Sequence, residues 1–473
     1  MTNDLQEIYE ECGVFGVFGV ENAATLSYYG LHSLQHRGQE AAGIVCVDEK
    51  GQFSRVKGEG LVTEVFNAKN LSSLSGNSAI AHVRYATAGG GGLDNVQPFL
   101  FHHHKGNFAL CHNGNLVNSN EIKYYLEERG SIFQSTSDTE LLAHLVKSSR
   151  MRGDNFYDDP LHPLLGPIRS ALNMIEGAFA FLVLTPDALY VMRDKYGMRP
   201  LSLGRLNGGY VVSSETCALE TIGAEFIRDI EPGEVLVIDA QGLHSYKYSA
   251  FNHHYMCAME YVYFARPDSD IENINVHAYR KQSGRILYRE SPVDADIVIG
   301  VPDSSLSAAM GYSEESGIPY EMGLIKNKYI GRTFIQPTQE LREKGVRMKL
   351  SAVRTIVKGK RVVMIDDSIV RGTTSRRIVK LLREAGAVEV HVRIASPPYA
   401  HPCYYGVDTA TYEELISSQL SVEELSKKIG ADSLKFLSHK GLYESGNRCE
   451  LCTACFSGNY PTSLYDNESH RKC

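Results

Sequence analysis

The sequence predicts two different folds in succession, an α+β fold in the first half and an α/β fold with a parallel sheet in the second. Short β-type runs separated by glycine-rich turns dominate residues 12–248. From about residue 283 onward, strand-like and helix-like segments alternate along the chain. A length of 473 residues is long for one core, so we expect two main domains.

The first half is predicted to be a sandwich of strands with helices inserted between them. Helical patterns occur at 119–129, 138–150 and 163–174. Runs typical of strands occupy residues 14–18, 43–47, 79–82, 108–111, 178–184, 188–192, 210–213 and 235–238.

The second half reads as strand, helix, strand, helix, strand, which is typical of a parallel sheet covered by helices. These segments are 297–301, 305–316, 361–365, 375–385 and 388–394. Residues 251–269 look like a connector between the halves. The tail after Gly441 is rich in cysteine and poor in apolar periodicity, so we expect something other than a core to hold it.

Composition excludes several classes of protein. A net charge of −8 argues against nucleic-acid or anionic-membrane partners. The acidic start lacks the features of an export signal, and no apolar run reaches the roughly 18 residues that span a bilayer. We therefore expect a cytoplasmic protein, in which clustered cysteines are metal ligands or catalytic thiols rather than disulfides.

Asp366 and Asp367 end the predicted strand 361–365 and precede a turn rich in Gly, Thr and Ser. Ligands bind at this edge of parallel sheets. Adjacent carboxylates accept hydrogen bonds from vicinal hydroxyls or hold Mg²⁺, and the turn offers N–H groups to a phosphate. The alternative is that both carboxylates cap the next helix, but they lie far upstream for an N-cap.

This stretch resembles the motif by which type I phosphoribosyltransferases bind phosphoribosyl pyrophosphate (PRPP). The resemblance implies that Asp366 and Asp367 hold the ribose hydroxyls and that the following turn wraps the 5-phosphate. It also makes the turn at 300–305 a pyrophosphate loop, in which Ser304 and both aspartates contact the Mg²⁺-bound substrate; an ordinary turn with serine as helix cap is the alternative. The implied PRPP-binding residues are Asp303, Ser305, Asp366, Asp367, Ser368, Arg371, Gly372, Thr373, Thr374 and Ser375.

Residues 326–349 are basic, punctuated by glycine and poor in periodicity. In phosphoribosyltransferases such a segment closes over PRPP and excludes water. A flexible solvated linker is the competing interpretation.

Cys12 lies directly after the acidic leader. If residues 1–11 are removed, the new α-amine, with an ordinary pKa of about 8, becomes a base that activates the thiol. Arg84 and Asp138 could then pair with the two ends of an amino acid, and Asn113 with Gly114 could form an oxyanion hole. Taken singly, these residues also read as a surface cation, a helix cap and a hairpin turn.

Together with Arg37 and Gly38 in the run 35–40, these residues resemble the N-terminal-nucleophile (Ntn) glutaminase domain of class II amidotransferases, an αββα sandwich. The resemblance implies that Cys12 attacks glutamine, that Asn113 and Gly114 stabilise the oxyanion, and that Arg37, Gly38, Arg84 and Asp138 form the glutamine-binding pocket.

A glutaminase domain joined to a PRPP-binding domain resembles the amidophosphoribosyltransferases over nearly the whole chain. That family places ammonia from glutamine on PRPP and so commits it to purine synthesis. The resemblance implies a propeptide at 1–11, a glutaminase domain at 12–248, a phosphoribosyltransferase domain at 249–440 and a tail at 441–473. It also implies a homotetramer, feedback by AMP, GMP or ADP, and a dry ammonia passage, for which residues 261–264 are candidates.

Cys449, Cys452 and Cys455 are spaced three residues apart, and Cys257 and Cys403 lie far upstream. This spacing suits zinc or an iron–sulfur cluster. The resemblance to Bacillus-type amidophosphoribosyltransferases implies a [4Fe-4S] cluster on Cys257, Cys403, Cys452 and Cys455. From the residues alone, two alternatives stay open: a zinc site, or a set of buried thiols that bind no metal. Cys46, Cys111 and Cys217 lie in β-type runs and are expected in cores.

Two other functions compete with this interpretation. Some regulators of transcription reuse the PRPP-binding fold without catalysis, but the acidic balance and the glutaminase residues disfavour a nucleic-acid-binding regulator. A different class II glutamine amidotransferase would share only the first half, and the PRPP motif disfavours it.

Overall fold

The computed structural model describes residues 12–85, 92–102, 106–149, 159–250, 253–327, 350–407, 409 and 411–465. The leader 1–11 and most of the predicted lid segment 326–349 lie outside the described residues. Within the described part of the chain, no helix is both long enough and apolar enough to cross a membrane.

The first half contains two antiparallel sheets. The six-stranded sheet has the spatial order Gly242–Lys247, Glu234–Asp239, Ala188–Arg193, Gly177–Leu184, Phe108–Leu116, Phe99–Phe101. The seven-stranded sheet has the order Glu225–Asp229, Ser202–Leu206, Gly209–Ser213, Gly13–Phe18, Ser78–Arg84, Ala41–Val47, Phe53–Glu59.

These two sheets pack face to face, with helices on both outer faces. The strand Gly13–Phe18 is apolar throughout because both of its faces are buried. Val14 belongs to the apolar cluster between the sheets, whereas Phe15 packs under the outer helices. Helices Ala23–Ser33 and Thr216–Thr221 cover the seven-stranded sheet, and Thr139–Ser149 and Leu165–Leu172 cover the other. The predicted αββα sandwich is therefore confirmed.

The second half is built on a parallel sheet, in the order Ile297–Gly300, Arg361–Asp366, Glu389–Ile394, Ser433–Phe436. Alternate side chains of the first two strands enter two separate cores. Val363 and Ile365 face one pair of helices, and Val362 and Met364 face the other. The first pair is Val276–Glu290 and Leu306–Ser316, and the second is Thr373–Glu384 and Val422–Ile429.

The tail is held by a short pair of strands and by apolar packing. Leu451–Cys452 pairs in parallel with Met256–Cys257 of the connector. Leu442, Leu451 and Phe456 are buried in the core of the second half. The expectation that something other than a core holds the tail is therefore only partly right, because the tail contributes apolar side chains that its weak periodicity concealed.

The predicted strands and helices are found within a few residues of their expected bounds, with one large extension. The run 108–111 continues as a strand to Leu116. Cys46, Cys111 and Cys217 are buried as expected, but Cys217 lies in a helix rather than a β-type run. The remaining α-helices in the described part of the chain are Val62–Val65, Ala68–Leu71, Ser119–Glu127, Arg354–Val357, Ile416–Gln419, His439–Ser445 and Ala454–Ser457.

Candidate functional sites

Cys12 lies at the start of the strand Gly13–Phe18, between two arginines. Its thiol donates a hydrogen bond to the carbonyl oxygen of Tyr85 over 3.7 Å. Its own carbonyl accepts a hydrogen bond from Arg37 Nε at 3.2 Å. Burial raises the pKa of the thiol, although the Tyr85 contact and the charges of Arg84 and Arg37 oppose that rise. The thiol therefore needs a nearby base to act as a nucleophile at neutral pH.

Asn113 and Gly114 lie inside the strand Phe108–Leu116, opposite Ala180 and Phe179 of the next strand. The hairpin-turn interpretation of this Asn-Gly pair is therefore wrong. Gly114 has a φ of 136°, and a Cβ there would lie 2.0 Å from the Ala178 carbonyl oxygen. Only glycine fits such a position.

The Asn113 side chain is fully buried. Neither atom of its amide has a hydrogen-bond partner among the residues that the structure describes. The strand that carries it packs against the strand that follows Cys12. A buried amide without partners costs about 1–3 kcal/mol, so this group is available to a ligand at the expense of stability.

Arg84 and Asp138 lie beside the same thiol. Arg84 is 5% exposed, so the surface-cation interpretation is wrong. A Cβ on Gly38 would lie 2.6 Å from Arg84 N, so the two backbones touch. Asp138 Oδ2 accepts a hydrogen bond from Leu116 N at 3.0 Å, in the strand of Asn113. The charges of Arg84 and Asp138 both act on the Cys12 thiol, in opposite directions.

Arg37 is part of a buried charge network that sequence analysis missed. Its guanidinium donates to Glu215 at 2.8 Å and to Glu260 at 2.7 and 2.9 Å. Arg199 Nη1 lies 3.6 Å from Glu260 Oε1. Burial alone would lower the pKa of Arg37, but the two carboxylates raise it. No local pattern could reveal this network, because its members lie far apart along the chain.

The paired aspartates lie at the carboxyl end of the parallel sheet, as predicted. Ser305 Oγ donates to Asp366 Oδ1 at 3.0 Å, and Ser304 Oγ donates to Asp367. The strands that precede these two turns are adjacent and parallel. The helix Thr373–Glu384 has Gly372 as its N-cap without a side-chain cap, so the capping interpretation of the aspartates is wrong.

The turn after the aspartates joins them to this helix. Ser368 Oγ donates to Asp367 Oδ1 at 2.7 Å. Gly372 has a φ of 72°, which places it in the left-handed region. The Ser375 hydroxyl is buried and has no hydrogen-bond partner within the described residues. Arg371 pairs with Glu414, and exposed Asp303 pairs with Lys326 at 3.0 Å.

Arg280 is a second residue that sequence analysis missed. It lies in the helix Val276–Glu290 and donates to the carbonyls of Tyr261 and Ala265 at 2.7 and 2.8 Å. Burial raises the pKa of Asp367, and the serine hydrogen bonds and the charge of Arg280 oppose that rise. Tyr261 is fully buried and stacks on Tyr279 with ring centres 4.8 Å apart. A role of residues 261–264 in an ammonia passage stays a prediction.

Cysteines from three parts of the chain line one cavity at the junction of the two halves. They are Cys257, Cys403, Cys452 and Cys455. Cys449 does not line it and is exposed. Burial raises the pKa of Cys257 and of Cys452 to about 12. Protons therefore stay on these thiols unless a cation takes their place. Arg199 lines the same cavity, so the buried charge network reaches it.

The fold and these two sites define a glutamine amidotransferase joined to a phosphoribosyltransferase. A model of the glutamine amidotransferase domain matches residues 91–221, and a model of the phosphoribosyl transferase domain matches residues 276–428. Each match lies inside the corresponding predicted domain; the predicted domain limits themselves stay a prediction.

Full-length relatives identify the family. The amidophosphoribosyltransferase of Bacillus subtilis (strain 168) is 57% identical over 99% of this chain and 97% of its own. That of Staphylococcus aureus (strain Mu50) is 51% identical over 98% and 93%. The solved structure of glutamine PRPP amidotransferase from B. subtilis, complexed with ADP and GMP, superposes with a TM-score of 0.90 at 56% identity, covering 96% of this chain and 98% of that one.

The chain belongs to the amidophosphoribosyltransferase family. Its activity is the glutamine-dependent transfer of ammonia to PRPP, which gives 5-phosphoribosylamine, glutamate and pyrophosphate in purine synthesis. The predicted family and reaction are thereby confirmed. The relatives match both halves together, and this argues against a nucleic-acid-binding regulator and against another class II amidotransferase.

Proposed function

We propose that residues 1–11 are removed and that Cys12 then releases ammonia from glutamine. The freed α-amine would take the thiol proton, and the thiolate would attack the side-chain amide carbon of glutamine. Ammonia leaves, and water hydrolyses the resulting thioester to glutamate. The raised pKa of the Cys12 thiol supports this proposal, because a buried thiol needs such a base.

We propose that Asn113 and Gly114 form the oxyanion hole. The unpartnered amide of Asn113 carries this proposal, since its Nδ2 donor is already desolvated and held in place. Arg84 would pair with the α-carboxylate of glutamine and Asp138 with its α-ammonium group. Gly38 brings the chain close to Arg84. Arg37 holds the Cys12 carbonyl and is fully paired with carboxylates, which favours a positioning role over direct substrate contact.

For PRPP, we propose that Asp366 and Asp367 hold the ribose hydroxyls and that the turn from Ser368 to Ser375 binds the 5-phosphate. The buried and unpartnered hydroxyl of Ser375 supports the second assignment. The turn with Asp303, Ser304 and Ser305 would bind pyrophosphate. The oxygens of Ser304, Asp366 and Asp367 form a donor set suited to Mg²⁺, which would offset the pyrophosphate charge when bound.

For the four cysteines, we propose that they hold a [4Fe-4S] cluster that ties the tail to the domain junction. Tetrahedral zinc requires sulfur atoms about 3.8 Å apart, given zinc–sulfur distances of about 2.3 Å. Among the described residues, the trio of His, Cys, Asp or Glu with ligand atoms all within 4.8 Å of one another contains no cysteine. The thiols are thus spread more widely than zinc needs, which favours the larger cluster.

Our proposals for regulation and oligomeric state rest on the likeness to the relatives. We propose feedback by AMP, GMP or ADP, since the B. subtilis relative was solved with ADP and GMP. A homotetramer in the cytoplasm is proposed on the family resemblance alone.

The test separates the two half-reactions. Protein that starts at Cys12 and contains its cluster should make 5-phosphoribosylamine from PRPP with either glutamine or ammonium, in a manner dependent on Mg²⁺. Protein that retains residues 1–11 should use ammonium only. Full glutamine use with the leader attached would overturn the α-amine mechanism. A brown colour near 400 nm with about four irons per chain is expected, and colourless protein with stoichiometric zinc would overturn the cluster.

A further inference from the structure

A third group of ligand-type side chains lies on the outside of the glutaminase half. His162, Asp239 and His244 each offer one atom, and these three atoms lie within 4.8 Å of one another. Asp239 ends the strand Glu234–Asp239, and His244 lies in its hairpin partner Gly242–Lys247, which is an edge strand. His162 comes from the chain just before the helix Leu165–Leu172. Neither proposed reaction uses this group.

The three side chains converge on one point. His162 Nε2 lies 2.8 Å from Asp239 Oδ2, and His244 Nε2 lies 3.1 Å from Asp239 Oδ1. His162 and Asp239 are buried, whereas the side chain of His244 is 33% exposed. The group is therefore preassembled yet open on one side, where further ligands can enter as water.

Asp159 orients the buried histidine. Its Oδ2 lies 2.9 Å from His162 Nδ1. Its Oδ1 accepts hydrogen bonds from Leu161 N at 2.9 Å and from His162 N at 3.3 Å. Without an ion, His162 donates from Nδ1 to Asp159 and from Nε2 to Asp239. Asp159 would keep the proton on Nδ1 when an ion replaces the proton on Nε2, so that the freed Nε2 lone pair faces the ion. Carboxylates bind the far nitrogen of metal-ligating histidines in the same manner.

We propose that His162, Asp239 and His244 bind a divalent transition-metal ion of the Zn²⁺ class. Two imidazoles and one carboxylate favour such an ion over Mg²⁺ or Ca²⁺, which prefer oxygen ligands. The ion takes the place of the protons that His162 and His244 share with Asp239. It links the segment before Leu165–Leu172 to the edge hairpin and so has a structural role.

The test is zinc binding to cluster-loaded protein, in which the four cysteines are occupied. Equilibrium dialysis against micromolar Zn²⁺ should give one more bound ion per chain for the native sequence than for His244→Gln. His439→Gln, at an exposed histidine, is the matched control and should bind like the native chain. Zn²⁺ should raise the melting temperature of the native protein and the control, but not of His244→Gln.

Two further measurements constrain the assignment. Asp159→Asn should weaken zinc binding about 10- to 100-fold without removing a ligand. Millimolar Mg²⁺ should not displace the ion. Equal zinc content in the native chain and His244→Gln, or displacement by Mg²⁺, would overturn the proposal.

Discussion

The two proposed reaction sites of this chain are built in opposite ways. At the glutaminase site, Asn113 and Gly114 are interior residues of a strand, held within a double sheet. At the PRPP site, Asp366, Asp367 and the serines lie on turns that follow parallel strands. The first site depends on packing between distant segments, whereas most of the second depends on contiguous sequence. A site that depends on packing between distant segments is hard to recognise from a short stretch of sequence. Substitutions far from such a site can also disturb it.

The two sites also differ in the kind of buried polar group that they contain. The glutaminase site holds a neutral amide without a partner. The PRPP site holds a carboxyl whose pKa burial raises. Both groups reduce stability in the absence of ligand, but of these two only the carboxyl does so in a manner that depends on pH.

Replacing Cys12, the proposed nucleophile, should give the largest effect and should separate the two half-reactions completely. In Cys12→Ala we expect glutamine-dependent synthesis to fall by about 10⁴-fold or more, because no other group can form the thioester. Ammonia-dependent synthesis should be retained. Cys449→Ala, at an exposed thiol, is the control and should keep both activities. Loss of both activities in Cys12→Ala would contradict independent sites.

Glu260→Gln should weaken one of the contacts that join the two halves. It removes the buried carboxylate charge that pairs with Arg37 and lies 3.6 Å from Arg199. We expect the free energy of unfolding to fall by about 3 kcal/mol, measured by denaturant unfolding. Glu444→Gln removes an exposed pair with Lys440 and should cost less than about 1 kcal/mol. If both substitutions lowered the free energy of unfolding equally, the buried network would stabilise the fold no more than an exposed ion pair does.

Asp367→Asn should reduce activity while raising stability. With either nitrogen donor, PRPP turnover should fall about 10²-fold because a charged ligand of the substrate is lost. The folded-state pKa of Asp367 is raised, so its charged form destabilises the fold at neutral pH, and a neutral amide removes that cost. The melting temperature should therefore rise. Asp294→Asn, at a residue with an 87% exposed side chain, should leave turnover unchanged. A lower melting temperature in Asp367→Asn would contradict this account.

Glu140→Gln tests the opposite pH dependence in the glutaminase half. Burial disfavours the charged form of Glu140, but hydrogen bonds from His144, Ser135 and Gln134 lower its pKa to about 2. The stability it contributes is present above the ordinary pKa of about 4.5 and is lost as the pH falls toward 2.

At pH 7 we expect Glu140→Gln to lower the free energy of unfolding by about 1 kcal/mol, with a smaller difference from the native chain at pH 3. Denaturant unfolding at both pH values measures this. Glu127→Gln, at an exposed residue in the same half, is the control and should change the free energy of unfolding at pH 7 by less than about 0.5 kcal/mol. A constant difference for Glu140→Gln across pH would argue against its charge as the cause.

Sequence analysis recovered the architecture because burial leaves a strong local signal. The core strand residues Val362–Ile365 are apolar without interruption, and the carboxylates that follow mark the site directly. The same holds for the strand Gly13–Phe18, which is buried on both faces. The fold class was predictable for this reason. The family and the reaction were predictable because the PRPP motif is contiguous and because the glutaminase residues keep a recognisable order and spacing between Cys12 and Asp138.

The features that the sequence did not reveal depend mostly on contacts between residues that are distant along the chain. Arg37 meets Glu215 and Glu260 across 178 and 223 positions of the chain, so no spacing rule links them. The Asn-Gly pair was ambiguous for a different reason. Glycine suits a hairpin turn because of its positive φ, and Gly114 uses that same freedom inside a strand to pass the Ala178 carbonyl.

The parallel pairing of Leu451–Cys452 with Met256–Cys257 has a consequence for biosynthesis. On the ribosome, the glutaminase half emerges in full before residues 451–455 have been translated, and domains fold as units as they emerge. The thiol-lined cavity can close only after that last segment is released. We therefore expect the proposed cluster to be inserted late in maturation. A transcript truncated before Cys452 would yield a folded sandwich without two of the four cysteines that line the cavity.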